Sequence, residues 1–205
     1  MIRIKICGIT NLDDAMTAVE AGVDALGFVF VPDTPRHIHV ELATHIIERL
    51  PPFITAVGLF VDDDSARIQA IADQCRLDIV QLHGNESPQF CRVLNRKIIK
   101  AIRIGSASSL SHLSDYSVNG FLLDTYVVGK MGGTGKVCDW KLASKAKKYG
   151  RIILAGGLNS DNVADAVHLV KPYGVDVSSG VEATPGKKDS NKVRKFIESV
   201  RLTES

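Results

Sequence analysis

A cysteine at position 7 and an aspartate at position 124 each close an apolar stretch of strand length. One lies in Ile2-Arg3-Ile4-Lys5-Ile6-Cys7, the other in Gly120-Phe121-Leu122-Leu123-Asp124. A thiol and a carboxyl facing each other across one cavity make a general base and a general acid. The thiol accepts a proton only as thiolate. Lys5, two residues earlier on the same face of an extended strand, is expected to favour that form. The competing readings are a small buried residue for Cys7 and a helix or loop cap for Asp124. Arg36 sits in the proline-stiffened segment Pro32-Asp33-Thr34-Pro35-Arg36-His37. Its guanidinium is a natural bidentate partner for a carboxylate, against the plainer reading of a surface arginine. Gln81 and His83 share one face of a further strand and are expected to line the same pocket, although a lone histidine more often serves structure than catalysis.

Two glycine-bearing segments point to an anion site. Ala155-Gly156-Gly157-Leu158-Asn159 brings backbone N–H groups next to a helix N-terminus, and Asp176-Val177-Ser178-Ser179-Gly180-Val181 offers the same. Gly156, Gly157, Asp176, Ser178, Ser179 and Gly180 are therefore candidates to hold a phosphorylated small molecule. Glycines that merely permit tight turns are the alternative. The run Gly129-Lys130-Met131-Gly132-Gly133-Thr134-Gly135-Lys136 is a poor nucleotide-binding loop. Its outer glycine is misplaced by one residue, and Val137 stands where Ser or Thr should ligate magnesium. A mobile lid over residues 125–136 is expected instead, with Lys136 one candidate phosphate contact. Cys7, Cys75, Cys91 and Cys138 have no metal-type spacing and read as reduced thiols, with Cys75 and Cys91 small buried residues of helices.

The elements that carry these residues alternate along the whole chain. Arg3, Lys5 and Cys7 alternate with isoleucines, the period of a strand. Further strands are expected at residues 24–30, 55–61, 78–83, 97–102, 120–124, 151–155 and 175–178. Several are near-continuous apolar runs, as suits strands covered on both faces. Helices are expected at about 10–22, 40–50, 64–74, 87–94, 106–116 (the weakest pattern), 140–148, 161–170 and 190–200. Asn159 or Ser160 should cap the helix at 161. Eight strands and eight helices at a spacing of about 25 residues are the pattern of an α/β protein with a closed parallel (β/α)8 barrel, the TIM barrel. The competitor is an open doubly wound sheet. Gly22-Val23-Asp24 and Gly174-Val175-Asp176 look like an internal repeat, each ending a helix and opening a strand. In such a barrel the chemistry lies at the C-terminal ends of the strands, the rule that selects the candidates above.

Length fits one domain or two very small ones, the barrel pattern makes it one domain over residues 1–205, and a formal net charge of +2 gives no support to nucleic-acid binding. No signal core or membrane span is apparent, so a cytoplasmic location is expected. Nothing chooses between a monomer and a homodimer.

Taken together, Lys5-Ile6-Cys7-Gly8-Ile9-Thr10, Gly27-Phe28-Val29-Phe30, Gln81-Leu82-His83-Gly84, Leu123-Asp124, Gly132-Gly133-Thr134-Gly135, Gly156-Gly157-Leu158 and Asp176-Val177-Ser178-Ser179-Gly180-Val181-Glu182 closely resemble the phosphoribosylanthranilate isomerase family of tryptophan biosynthesis. The resemblance runs in order over nearly the whole chain. It implies an Amadori rearrangement of N-(5-phosphoribosyl)anthranilate to 1-(2-carboxyphenylamino)-1-deoxyribulose 5-phosphate, with no cofactor and no metal. It further implies that Asp124 is the general acid that opens the ribose ring, Cys7 the general base at C2′, and Arg36 the holder of the anthranilate carboxylate. Other barrel enzymes fit less well. The aminoimidazole isomerase of histidine biosynthesis would be expected to carry aspartate at position 7 and a second glycine-rich phosphate site. Indole-glycerol phosphate synthase would want a lysine–glutamate pair and a longer N-terminus. A barrel that binds a phosphorylated ligand without turnover is opposed by the acid and base at strand ends.

Overall fold

A computed structural model describes residues 1–104, 107–124 and 140–204 of the chain. Its strands are β1 (Arg3–Cys7), β2 (Ala25–Val29), β3 (Thr55–Phe60), β4 (Ile79–Leu82), β5 (Lys97–Arg103), β6 (Gly120–Asp124), β7 (Ile152–Ala155) and β8 (Gly174–Val177). They form a closed barrel in sequence order, and every neighbouring pair is parallel. Closure is made by β8 on β1, where Lys5 lies opposite Asp176 and Ile6 opposite Val177. An open sheet is thereby excluded. Period-2 alternation divides each strand between two layers. Ile4, Ile6, Leu26, Phe28, Val175 and Val177 point outward into the core shared with the helices. The inward set is split. Ile99, Ala101, Leu122, Ile153 and Ala155 make a small apolar cluster inside β5, β6 and β7, whereas Lys5, Gln81 and Asp176 are buried polar groups.

The helices are α1 (Leu12–Glu20), α2 (Val40–Ile47), α3 (Ser65–Gln74), α4 (Pro88–Val93), α5 (Trp140–Ala146), α6 (Val163–Val170) and α7 (Ser190–Arg201). Side-chain caps define several starts: Asn11 for α1, Asp64 for α3, Ser87 with Pro88 behind it for α4, and Asp189 for α7. At the N-terminal rim, Asp24, Asp78 and Asn119 each accept a hydrogen bond from a strand N–H of the preceding unit, at Ile4, Ala56 and Ile98. These contacts lock successive strands in register.

Four expectations are corrected. The helix expected at 106–116 is two short 3₁₀ turns, Ala107–Leu110 and Leu113–Asp115. Ser-rich sequence there competes with helical hydrogen bonding. α6 begins at Val163 rather than 161, and the Asn159 side-chain Oδ1 accepts from the N–H groups of Asp161 and Asn162 in the turn that precedes it. The apparent repeat is not structural. Asp24 lies ahead of β2 at the N-terminal rim, where Arg3 and Arg201 pair with it, whereas Asp176 is inside β8 in the barrel. Finally, a hairpin of β9 (Glu182–Thr184) and β10 (Lys187–Lys188) stands between β8 and α7 where no strand was expected. The lid expected at 125–136, with Lys136, and Cys138 lie outside the described residues. Cys75 and Cys91 are buried, as expected.

Candidate active site

The C-terminal ends of the strands open into a cavity of about 360 Å³. All eleven candidates line it: Cys7, Arg36, Gln81, His83, Asp124, Gly156, Gly157, Asp176, Ser178, Ser179 and Gly180. Apolar walls come from Val29, Val31, Leu59 and Val61. Each candidate is inward because strand alternation puts it there, or because it sits in the loop immediately after a strand. Gly156 and Gly157 follow β7 at φ +84° and +69°, conformations that side-chain-bearing residues rarely adopt. They turn bare backbone toward the cavity, next to the Ser178–Gly180 loop after β8. Among the described residues, no group of three or more His, Cys, Asp or Glu side chains is placed to hold a metal ion.

Cys7 is buried at the end of β1. Burial pushes its thiol above the usual cysteine range. Lys5 and Lys188 pull it down and Asp176 pushes it up, and burial prevails. The expected direction of the Lys5 effect holds, and burial outweighs it. Lys5 does work in that direction, but its Nζ donates to Asp176 Oδ1 at 2.8 Å, so part of its charge is spent on β8. Burial works against the Lys5 charge too, yet Asp176 and the Cys7 sulfur hold the ammonium above the ordinary lysine range. A carboxylate that would otherwise raise the thiol further is thus tied down beside it.

Asp124 ends β6, with His83 Nε2 3.4 Å from its Oδ2. Gln81 Nε2 donates to His83 Nδ1 at 3.0 Å. In that arrangement a neutral His83 carries its proton on Nε2, toward Asp124. Gln81 Oε1 and Ser178 Oγ are buried without a hydrogen-bond partner among the described residues. Both belong to residues that line the cavity.

Arg36 is half-buried, and one edge of its guanidinium is taken: Nε and Nη2 donate to Glu182 Oε1 and Oε2 at 2.8 and 2.6 Å. Three of its five N–H groups remain for a second carboxylate. Glu182 also accepts from Lys188 Nζ at 3.0 Å. Its two cationic partners hold the Glu182 carboxyl below the usual range despite the opposing effect of burial. Sequence reasoning assigned no role to Glu182 and did not single out Lys188. Lys187-Lys188 looks like a solvated charge pair, and only the Pro185-Gly186 turn signal hints at the hairpin that buries Lys188.

The arrangement offers a thiol and a carboxyl at the rim of one cavity, a cation for a carboxylate, and two backbone loops suited to a phosphate. A family profile described as N-(5'phosphoribosyl)anthranilate (PRA) isomerase matches residues 4–199. The chain is 55% identical over 205 residues to the N-(5'-phosphoribosyl)anthranilate isomerase of Pelobacter propionicus, covering 100% of this chain and 98% of that one. The crystal structure of phosphoribosyl anthranilate isomerase from Thermotoga maritima superposes with a TM-score of 0.93 at 43% identity, over 98% of this chain and 100% of that one. A phosphoribosyl anthranilate isomerase crystallised in complex with reduced 1-(o-carboxyphenylamino)-1-deoxyribulose 5-phosphate gives a TM-score of 0.90 at 40% identity, with the same coverage of both chains.

Proposed function

The chain belongs to the N-(5'-phosphoribosyl)anthranilate isomerase family, and from that premise we propose a mechanism in which Asp124 is the general acid and Cys7 the general base. The enzyme is an isomerase of tryptophan biosynthesis, converting an aldose derivative to a ketose derivative. The substrate, N-(5-phosphoribosyl)anthranilate, carries an anion at each end. Its phosphate suits the backbone N–H groups of the loops after β7 and β8, and its carboxylate suits the three remaining N–H groups of Arg36. Those two anchors leave the ribose lying across the cavity, between the ends of β1 and β6.

Asp124 gives a proton to the ribose ring oxygen as the C1′–O bond breaks, and the nitrogen lone pair forms the Schiff base. The Cys7 thiolate then takes the C2′ proton. The C2′–H electrons become the enolamine double bond and neutralise the iminium nitrogen. Tautomerisation of the enolamine places a proton on C1′ and leaves the ketone at C2′. Every atom of the substrate is retained. The base step needs thiolate in a place where burial disfavours it, and the Lys5 and Lys188 ammonium groups oppose that cost. His83, against Asp124, gives the carboxyl a neighbour with which to exchange its proton.

The observation that carries this reading is the thiol and the carboxyl lining one cavity with Arg36 and both glycine loops. Purified protein mixed with freshly prepared N-(5-phosphoribosyl)anthranilate should abolish the anthranilate fluorescence far faster than the spontaneous reaction. Decay at the spontaneous rate would end the isomerase reading.

A further inference from the structure

The hairpin β9–β10 is wedged between the loop that follows β1 and the loop that carries Arg36. At its tip, the Thr10 hydroxyl donates to the carbonyl of Gly186 at 2.6 Å. At its return strand, the backbone N–H of Lys188 donates to Asp14 Oδ2 at 2.8 Å, and Asp14 is itself held by Asn11 at the start of α1. So fixed, the hairpin sends the Lys188 side chain inward, where it is buried. Its Nζ donates to the carbonyl of Cys7 at 2.6 Å, to the carbonyl of Ser178 at 3.3 Å and to Glu182 Oε1 at 3.0 Å. One ammonium thus touches the strand end that bears the base, the loop that begins the phosphate site, and the carboxylate that orients Arg36.

The charges around Cys7 do not balance. Lys5 on β1, Lys188 on β10 and Arg36 after β2 are cations, whereas Asp176 on β8 and Glu182 on β9 are anions. Across the cavity, Asp124 on β6 is in contact with His83 after β4. β2 contributes only the glycine opposite Cys7 in register. With Lys188 charged and Cys7 a thiol, the five-membered group about it carries one surplus positive charge, and a thiolate makes it neutral. Burial pulls the Lys188 ammonium below the ordinary lysine range, opposed by Glu182 and by Cys7. Each anion already has its own lysine, Asp176 with Lys5 and Glu182 with Lys188, and Glu182 is shared with Arg36.

We propose that Lys188 is a positioning residue for the isomerase reaction: it holds the end of β1 by the Cys7 carbonyl and, together with Lys5, supplies the positive charge that sustains the Cys7 thiolate. The assignment rests on Cys7 as the base. A buried cation that merely braced the hairpin would affect stability without altering the thiol. A charge-supplying one makes the thiolate fraction depend on residue 188 and, with opposite sign, on residue 182.

The test is the pH dependence of Cys7 alkylation by iodoacetamide, followed at that residue by mass spectrometry, alongside the acid limb of kcat/KM. Lys188→Met should raise the Cys7 midpoint by about one pH unit or more, the size of shift a near charge produces. Lys188→Arg should bring it back to within a few tenths. Glu182→Gln removes an anion and should lower the midpoint, a readout that does not depend on Lys188→Met folding. A midpoint unmoved in folded Lys188→Met, or moved upward in Glu182→Gln, overturns the proposal. Alkylation shifts that kcat/KM does not follow would uphold the charge role of Lys188 and remove Cys7 as the base.

Discussion

Gly27 is the sharpest place to disturb the reaction without altering any group that performs it. It lies on β2 directly opposite Cys7 in the strand register, and its carbonyl accepts from the N–H groups of Gly8 and Ile9 at 2.9 and 3.0 Å. A Cβ added there would sit 2.8 Å from Cys7 Sγ, 3.0 Å from Lys5 Nζ and 3.1 Å from Cys7 Cα. Ordinary heavy-atom contacts are about 3.5–4.0 Å, so about 1 Å must be found. Lys5 cannot yield it cheaply, since its ammonium is held at 2.8 Å by Asp176, and the Cys7 backbone is held by Lys188. The displacement therefore falls on the sulfur. Misplacement of a reacting atom by 1 Å costs about 10²-fold, so Gly27→Ala should lower kcat by about that factor. KM should stay within about threefold, because Arg36 and the loops after β7 and β8 are untouched. Overpacking of this kind costs about 1–3 kcal/mol, which for a chain of this size lowers Tm by about 2–12 °C. Steady-state fluorescence kinetics and calorimetry on the same preparation decide the matter. A folded Gly27→Ala enzyme with kcat within threefold of the parent would refute the claim that the glycine keeps space for the Cys7–Lys5 pair.

Three other outcomes are expected. Cys7→Ser and Asp124→Asn should each reduce kcat by about 10³-fold or more, at the upper part of the range for one general base or acid, with unchanged circular dichroism; near-normal turnover in either would remove that residue from its role. Arg36→Met should raise KM by about 10–100-fold with a smaller effect on kcat, the loss of charge-assisted hydrogen bonds to one carboxylate, measured by the same assay. Lys100→Met should lower Tm by about 6–20 °C without a matching change in kcat, because it strands the buried Glu86 carboxylate. Adding Glu86→Leu to that variant should restore much of the loss, and a calorimetric Tm for Lys100→Met within 3 °C of the parent would show that the pair contributes little.

Legibility in the sequence followed periodicity. Strands one residue in two apolar, or apolar throughout, identified β1 to β8 closely, and the strand-end rule then collected all eleven candidate residues around one cavity. What escaped was long-range pairing of charges. Lys100 reads as an ordinary polar strand residue, yet its ammonium is buried outside the barrel wall, donating to Glu86 and to the carbonyls of Gly84 and Ala101. Its ion-pair partner Glu86 is 14 residues away, on the other side of α4. Lys5 was legible as an inward lysine but not as half of an ion pair with Asp176, 171 residues distant, because only barrel closure brings β8 to β1. The consequence reached chemistry. A lysine judged on its own strand favours the thiolate, and in the barrel it still does, but it is shared with Asp176 and outweighed by burial of Cys7.

The inward face of the barrel is divided by this arrangement into two materials. β5, β6 and β7 contribute an apolar cluster that packs as any core does, while the seam where β8 meets β1 concentrates Lys5, Asp176, Cys7 and, through the hairpin, Lys188, Glu182 and Arg36. Buried ion pairs contribute little net stability, and similarly shaped apolar residues commonly serve stability as well or better. The seam fits the proposed chemistry better than it fits a gain in stability. Its location follows from topology as well. The closing strand pair is where the two ends of the chain meet, so residues near both termini converge on one place, and the segment just after β8 is available to fold back as β9 and β10 over the end of β1. A charge introduced in the apolar half would have no comparable set of partners. Among the described residues, the thiol stands where the chain's own return brings the Lys188 ammonium against the end of β1.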